Sequence, residues 1–160
     1  MVKENRTFDN YFGTFAGTAG ATTGRIHTGQ VIPLGHAPDR TPRDIDHSYQ
    51  AAVEAIEGGK MDKFDLIAGG NKNGDSLAYT QYREDDLPNC FAYARNFVLA
   101  DHFFSSLTGA SFPNHLYTVG AQSGGAINNP SKSQGRWGCD SPADSRVQVL
   151  DEEGDILTQL

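Results

Sequence analysis

Residues 87–100 have the sequence LPNCFAYARNFVLA, and this stretch predicts the fold class. Pro88 suits the first turn of a helix, because the amide hydrogen that proline lacks has no helical partner there. The pattern predicts a helix over residues 89–97. Its apolar residues are spaced to face inward at Phe91, Ala94 and Phe97. Residues 97–100 are apolar without interruption, which is typical of a buried strand. A helix that leads into a buried strand predicts an α/β fold.

Further elements follow from similar local patterns. Residues 44–57 (DIDHSYQAAVEAIE) carry apolar side chains at helical spacing, and the Gly-Gly pair after them favours the end of a helix. Another helix is expected to begin at Ser111 and to run to about residue 120. Residues 30–34 predict a short strand at a sheet edge, since the proline among them cannot donate to a ladder. Residues 146–157 predict a C-terminal β-hairpin.

Composition narrows the possible classes of protein. The 160 residues fit one domain, and the 18 glycines indicate long loops. The net charge is −7 and no Lys/Arg run occurs, so we expect no nucleic-acid partner. Because there is no stretch of 18 apolar residues, and residues 1–6 lack the apolar part of a secretion signal, we expect no transmembrane segment and no export address. Cys90 and Cys139 lack zinc-ligand spacing, and the sequence leaves open whether they pair.

Ser111 stands before Phe-Pro at the predicted start of a helix. Unpaired amide N–H groups and the helix dipole favour anions there, so a serine hydroxyl in this position is suited to attack on a phosphate ester. Serine is also an ordinary helix N-cap residue. Spacing alone leaves both interpretations open.

The triplet Glu4-Asn5-Arg6 has two interpretations as well. A carboxylate is a hard oxygen ligand for a divalent cation, and an amide can donate to a phosphoryl oxygen. A polar triplet near a chain end is also often simply solvated.

Other polar motifs favour structural roles. Asp44, Asp46 and His47 are metal-ligand types, but on a helix they point in different directions, and we expect Asp44 or Asp46 to cap the helix. Asp101-His102 follows the predicted strand, where α/β enzymes place functional groups, or it caps the next turn. No phosphate-binding Gly-x-x-x-x-Gly-Lys-Ser/Thr loop is present.

Two motifs together resemble those of a known family. ENRTFDNYFG (residues 4–13) and SFPNHLY (residues 111–117) are similar to the motifs of the bacterial phosphoesterases that include acid phosphatases and non-specific phospholipases C, in the alkaline phosphatase superfamily. GKMDKF (residues 59–64) and FVLADHFFS (residues 97–105) are similar to the segments between those motifs.

The resemblance implies a partial alkaline-phosphatase-like α/β core, with a sheet flanked by helices. It implies that Glu4 binds a divalent metal ion of open identity, that Asn5 contacts the substrate phosphate, and that Ser111 is the nucleophile and a metal ligand. The implied reaction is attack of the Ser111 alkoxide on phosphorus, followed by hydrolysis of a phosphoserine. The implied substrate is a phosphate ester or phospholipid, and the implied location is periplasmic or secreted. The oligomeric state stays open.

The chain also departs from the family, whose members are longer and carry further metal-binding Asp and phosphate-facing His residues in a C-terminal part. We therefore expect residues 1–160 to be a single incomplete domain, an N-terminal fragment that is inactive alone. The alternative is a non-catalytic calcium- or carbohydrate-binding surface module, suggested by the Gly/Asn-rich loops. Residues 71–75 fail the calcium-loop pattern, because the glycine comes two positions early and Tyr82 stands where the bidentate Glu belongs.

Overall fold

The computed structural model describes residues 4–131 and 141–159. The chain forms two compact units, one of residues 1–46 and 54–103, and one of residues 47–53 and 104–160. Helices and short strands occur together along the chain, which confirms the predicted α/β class. The interpretation of residues 1–160 as one incomplete domain stays a prediction, and Cys139 lies outside the described residues.

The described residues contain four α-helices and six short strands. In chain order they are α1 (Phe8–Phe12), β1 (Thr23–Arg25), β2 (Val31–Pro33), β3 (Gly35–His36), α2 (Tyr49–Ile56), β4 (Thr80–Gln81), α3 (Pro88–Asn96), α4 (Ser111–Gly120), β5 (Val147–Leu150) and β6 (Ile156–Gln159). Short 3₁₀ turns cover Glu57–Gly59 and Leu77–Tyr79. The helices predicted at residues 89–97 and 111–120 are confirmed.

The strands pair in two-stranded ladders. β1 and β2 are antiparallel, β3 and β4 are parallel, and β5 and β6 form the predicted C-terminal hairpin, with Leu150 opposite Ile156. The strand expected within residues 30–34 is confirmed as β2. Its partner β1 was not predicted, because Thr-Gly-Arg carries no alternating apolar pattern by which a strand is recognised.

An aromatic cluster joins α1 to α3 in the first unit. The ring of Phe91 lies 5.5 Å from that of Phe12 and 5.5 Å from that of Phe15, measured between centroids. Phe91 is only 3% exposed. Tyr11 of α1 also meets Tyr82 edge-to-face at 5.5 Å. These centroid distances are typical of favourable aromatic pairs, so the contacts hold α1 against α3 and Tyr82.

The second unit has its own small core. Among the described residues, Ile127 and Pro113 are the largest fully buried side chains. Ala126, which precedes Ile127, and Val149 of β5 are also buried. Ala126 forms an isolated antiparallel bridge with Val149 of β5. The hairpin and the start of α4 are therefore packed within the same unit.

The predicted buried strand at residues 97–100 is wrong. The segment has no strand assignment, and Phe97 and Val98 are 72% and 96% exposed. Within the described ranges no other strand pairs with it. A strand needs a ladder partner for its amide and carbonyl groups, which an apolar pattern by itself cannot supply.

The predicted helix over residues 44–57 begins later than expected. α2 starts at Tyr49, and the Ala51 amide donates to Ser48 Oγ at 3.2 Å, so Ser48 caps the helix. The prediction of Asp44 or Asp46 as the cap is wrong, since the backbone amide of Asp46 instead bonds to the Ala68 carbonyl. The end of the helix was predicted correctly, because Gly58 adopts a left-handed conformation with φ 64°.

Candidate functional site

Ser111 is the first residue of α4 rather than its cap. The N-cap position is Ala110, which is extended and has no side-chain acceptor. The interpretation of Ser111 as an ordinary capping serine is therefore wrong. Ser111 is half-buried, so its hydroxyl is partly open to solvent.

The backbone groups around Ser111 are held from a distant part of the chain. The Ala110 amide donates to the Ile127 carbonyl at 3.0 Å, and the Phe112 amide donates to Asn129 Oδ1 at 2.8 Å. Pro113 has no amide hydrogen to satisfy. Neither the amide nor the hydroxyl of Ser111 makes a hydrogen bond among residues 4–131 and 141–159. These two donors are thus available to a bound anion.

The loop before α4 is fixed by Asn114, one turn into the helix. Its Nδ2 group lies 3.1 Å from the Ala110 carbonyl and 3.3 Å from the Leu107 carbonyl. At Gly109 the chain passes so close to residue 127 that an added Cβ would lie 2.7 Å from the Ile127 carbonyl oxygen. Only glycine fits at position 109, so the backbone that leads to Ser111 has a defined conformation.

The hairpin supports the segment that carries Asn129. The Ile127 amide donates to the Gln148 carbonyl at 3.0 Å, and the Leu150 amide donates to the Gly125 carbonyl at 2.9 Å. The contact of Asn129 with α4 was not predicted from the sequence. No local signal reveals a contact between residues 17 positions apart.

Glu4 and Asn5 lie next to each other on the surface of the first unit. Both residues are exposed, and Asn5 Nδ2 lies 3.5 Å from Glu4 Oε1. Asn5 has a left-handed backbone with φ 64°, a conformation that asparagine tolerates better than most residues. The Arg6 guanidinium donates to the Asn5 carbonyl at 2.6 Å. The Glu4 and Asn5 side chains of the ENR motif therefore lie side by side on the surface.

The rest of the first motif anchors that point. The Asn10 amide donates to Thr7 Oγ1 at 3.1 Å, which caps α1. Asn10 Nδ2 donates to the Thr80 carbonyl of β4 at 2.7 Å. Asp9 accepts from the Ala21 amide at 2.7 Å. The polar residues that follow the ENR triplet are therefore used to hold α1, and with it the triplet, against its own unit.

The structure thus brings Glu4 and Asn5 together in the first unit. Ser111 lies in the second unit, with Asn114 and Asn129 around it. Asp101-His102 was predicted to follow a buried strand or to cap the next turn, and the structure has no strand immediately before it. Here the Ala19 amide donates to Asp101 Oδ2 at 2.9 Å, and this bond, followed by the one from His102, lowers the pKa of Asp101.

The donor set for a metal is limited. Among residues 4–131 and 141–159, no group of three or more His, Cys, Asp or Glu side chains is arranged to hold a metal ion. Glu4 supplies one carboxylate and Asn5 one amide, whereas Mg²⁺ and Ca²⁺ are surrounded by six or more oxygen ligands, which can include water and substrate. Glu4 and Asn5 therefore supply only part of the ligands of a metal site.

Comparison with known proteins identifies relatives. The Phosphoesterase family model matches residues 1–154. The non-hemolytic phospholipase C of Pseudomonas aeruginosa is 30% identical, over 73% of this chain and 19% of the relative. Phospholipase C B of Mycobacterium tuberculosis is 26% identical, over 76% of this chain and 28% of the relative. Non-specific phospholipase C5 of Arabidopsis thaliana is 24% identical, over 82% of this chain and 31% of the relative.

The chain spans about a fifth to a third of the length of these relatives. In the part that the structure describes, no helix is long and apolar enough to cross a bilayer. The match to the family model covers both motifs, ENRTFDNYFG and SFPNHLY, and nearly all of the chain between and after them. The chain belongs to the phosphoesterase family.

Proposed function

We propose that this chain takes part in the hydrolysis of phosphoric esters, with Ser111 as the nucleophile. The observation that carries the proposal is the state of Ser111. It is the first residue of a ten-residue helix, it is half-buried, and its hydroxyl is not used by any described neighbour. In a phosphoesterase such a hydroxyl is suited to attack phosphorus.

The surroundings of Ser111 suit an anionic substrate. The first turn of α4 presents the positive end of the helix dipole, and the Ser111 amide points out of the helix as a donor. An anion at this position would gain both interactions. The helix dipole and the Ser111 amide each stabilise a bound anion only modestly. They therefore orient the phosphoryl group but do not account for the whole rate enhancement.

The reaction has two steps. Ser111 Oγ forms a bond to phosphorus while the bond from phosphorus to the ester oxygen breaks. The hydroxyl proton passes to solvent water, and the leaving alkoxide takes up a proton from solvent water. Water then attacks the phosphoserine, releases the phosphate or phosphorylated headgroup, and restores the hydroxyl. The names of the relatives favour phospholipids as substrates, and soluble phosphate esters are the other class.

Glu4 and Asn5 are proposed to have roles in the chemistry as well. The Glu4 carboxylate would be a ligand of a divalent metal ion, and the Asn5 amide would donate to a phosphoryl oxygen. When bound, such an ion supplies neutralisation of the phosphoryl charge. Support comes from the family motif and from the exposed, anchored position of both side chains.

A calcium-binding module is less well supported. In the loop that motivates it, Asn71 Oδ1 accepts from the Gly74 amide at 3.0 Å. Asp75 is bound by the Arg43 guanidinium, with Nη2 to Oδ1 at 2.6 Å, and this contact lowers the pKa of Asp75. Asn71 Oδ1 and the Asp75 carboxylate, two of the groups that would bind calcium, thus already have internal partners.

The test compares two hydroxyl deletions on one helix in the protein expressed from its complete gene. Ser111→Ala removes the proposed nucleophile, and Thr118→Ala removes a hydroxyl that donates to the His115 carbonyl at 2.7 Å. Hydrolysis of p-nitrophenyl phosphate and of phosphatidylcholine vesicles is measured. We expect Ser111→Ala to lower kcat by roughly 10³-fold or more and Thr118→Ala to stay within about twofold of wild type. Equal activity of the two variants contradicts the proposal.

A further inference from the structure

We infer that Asn129 is a positioning residue for Ser111, which prevents that serine from becoming the cap of its own helix. The inference rests on the proposed function, in which Ser111 is the nucleophile. Its starting point is a conflict between local sequence preference and the observed start of α4.

Local preference favours a different helix start. Serine is among the best N-cap residues and alanine among the poorest, yet Ala110 occupies the N-cap and Ser111 the first helical position. If α4 began one residue later, Ser111 Oγ would accept a hydrogen bond from the Asn114 amide. The hydroxyl oxygen would then be engaged with the backbone instead of being available for reaction.

Asn129 supplies the cap that Ala110 lacks. Its Oδ1 accepts the Phe112 amide at 2.8 Å, which is the bond that an N-cap side chain usually makes to the second helical residue. Because the acceptor of the Phe112 amide lies outside the helix, this amide has a partner while the Ser111 hydroxyl makes no hydrogen bond to a described residue.

The two residues before Asn129 hold its backbone in place beside α4. The residue before it, Asn128, is buried and bonds through Nδ2 to Gln148 Oε1 at 2.6 Å and to Gln50 Oε1 at 2.9 Å. Ile127 is 1% exposed, and its carbonyl accepts the Ala110 amide. The segment from Ile127 to Asn129 therefore contacts the start of α4 at two successive points, which fixes the helix register.

The inference is tested with Asn129→Ala, Asn129→Asp and the double variant Asn129→Ala/Ala110→Ser. The aspartate keeps an acceptor oxygen, and the Ala110→Ser change offers a local capping hydroxyl to the same Phe112 amide. Ser48→Ala is the matched control, because it removes the equivalent capping bond from α2. Each protein is expressed from the complete gene, and kcat, KM and thermal stability are measured.

We expect Asn129→Ala to lower kcat by about 10-fold to 100-fold with KM within about threefold, since misplacement of a reacting group acts on the chemical step. Asn129→Asp and the double variant should recover kcat to within about fivefold of wild type. Ser48→Ala should lose stability but keep kcat.

The results distinguish the nucleophilic role of Ser111 from the positioning role of Asn129. If Ser111→Ala retains activity, the proposed function fails. If Ser111→Ala is inactive while Asn129→Ala matches Ser48→Ala in kcat, the positioning role of Asn129 is overturned and the nucleophile stands. If Asn129→Ala does not fold, the comparison of Asn129→Asp with the double variant decides, and loss of kcat in both folded proteins overturns the inference.

Discussion

At the scale of single residues, His27, Asp65 and Tyr79 form a hydrogen-bonded cluster in the first unit. His27 Nδ1 bonds to Asp65 Oδ2, and the His27 amide donates to Asp65 Oδ1 at 3.2 Å. Burial works to raise the pKa of Asp65, but the bonds from His27 outweigh it, and the pKa is lowered. Burial, followed by the charge of Asp65, raises the pKa of Tyr79 to about 12.

This cluster predicts a specific acid sensitivity. Since the pKa of folded Asp65 lies below that of an unfolded aspartate, near 3.9, its contribution is present above about pH 4 and is lost as the pH falls through the folded value. Asp65→Asn should lower the free energy of unfolding in urea more at pH 5 than at pH 3. The exposed Asp39→Asn serves as control. An equal effect of Asp65→Asn at both pH values contradicts the account.

Part of the candidate site could be predicted from the sequence. The start of a helix at Ser111 was predictable, because Ser-Phe-Pro is a local signal. The contact from Asn129 was not, since it joins residues that only the fold brings together. The roles of Glu4, Asn5 and Ser111 in chemistry remain predictions.

At the scale of elements, the end of α3 explains the wrong strand prediction. The sequence pattern placed Phe91 and Phe97 on one inner face. The helix ends at Asn96, and Phe97 has an extended backbone with φ −133° and ψ −176°. Phe97 therefore leaves the helical face, and it lines an open apolar cavity of about 440 Å³ together with Val98 and residues of α1 and α3.

Two phenylalanine truncations test this description. Phe91→Ala removes a buried ring and should lower the free energy of unfolding by about 3–5 kcal/mol. Phe97→Ala, with a side chain that is mostly exposed, should lower it by less than about 1 kcal/mol. Urea denaturation of both variants gives the comparison, and similar losses would show that Phe97 is packed.

Elements with local signals were predictable, and elements that depend on partners were not. Pro88 and Gly58 mark a helix start and a helix end correctly. Ser48, rather than the nearby acidic residues, caps α2, and this choice depends on where the chain enters the helix. β1 depends on pairing with β2, so its three residues carry no signal of their own.

At the scale of the whole molecule, the net charge of −7 opposes the binding of anionic substrates. An acidic phosphoesterase therefore needs a local positive charge at its site, and a divalent ion is the simplest source. A divalent ion bound by Glu4 would supply that charge.

Metal removal tests that role. In the protein expressed from its complete gene, EDTA should abolish hydrolysis of phosphate esters, and added divalent metal should restore it. Glu4→Gln should raise the metal concentration for half-maximal activity by roughly 10-fold or more. The control is Glu152→Gln, an exposed carboxylate in the turn of the hairpin. Identical metal requirements for the two variants would exclude Glu4 as a ligand.

The central claim is that Ser111 forms a bond to phosphorus, and acid-quench mass spectrometry tests it most directly. The protein is mixed with a phosphate ester, quenched in acid during turnover, digested, and searched for phosphorylated peptides. The account predicts phosphoserine at position 111, and none there in Ser111→Ala. Phosphate on another residue, or unchanged turnover by Ser111→Ala, would contradict it.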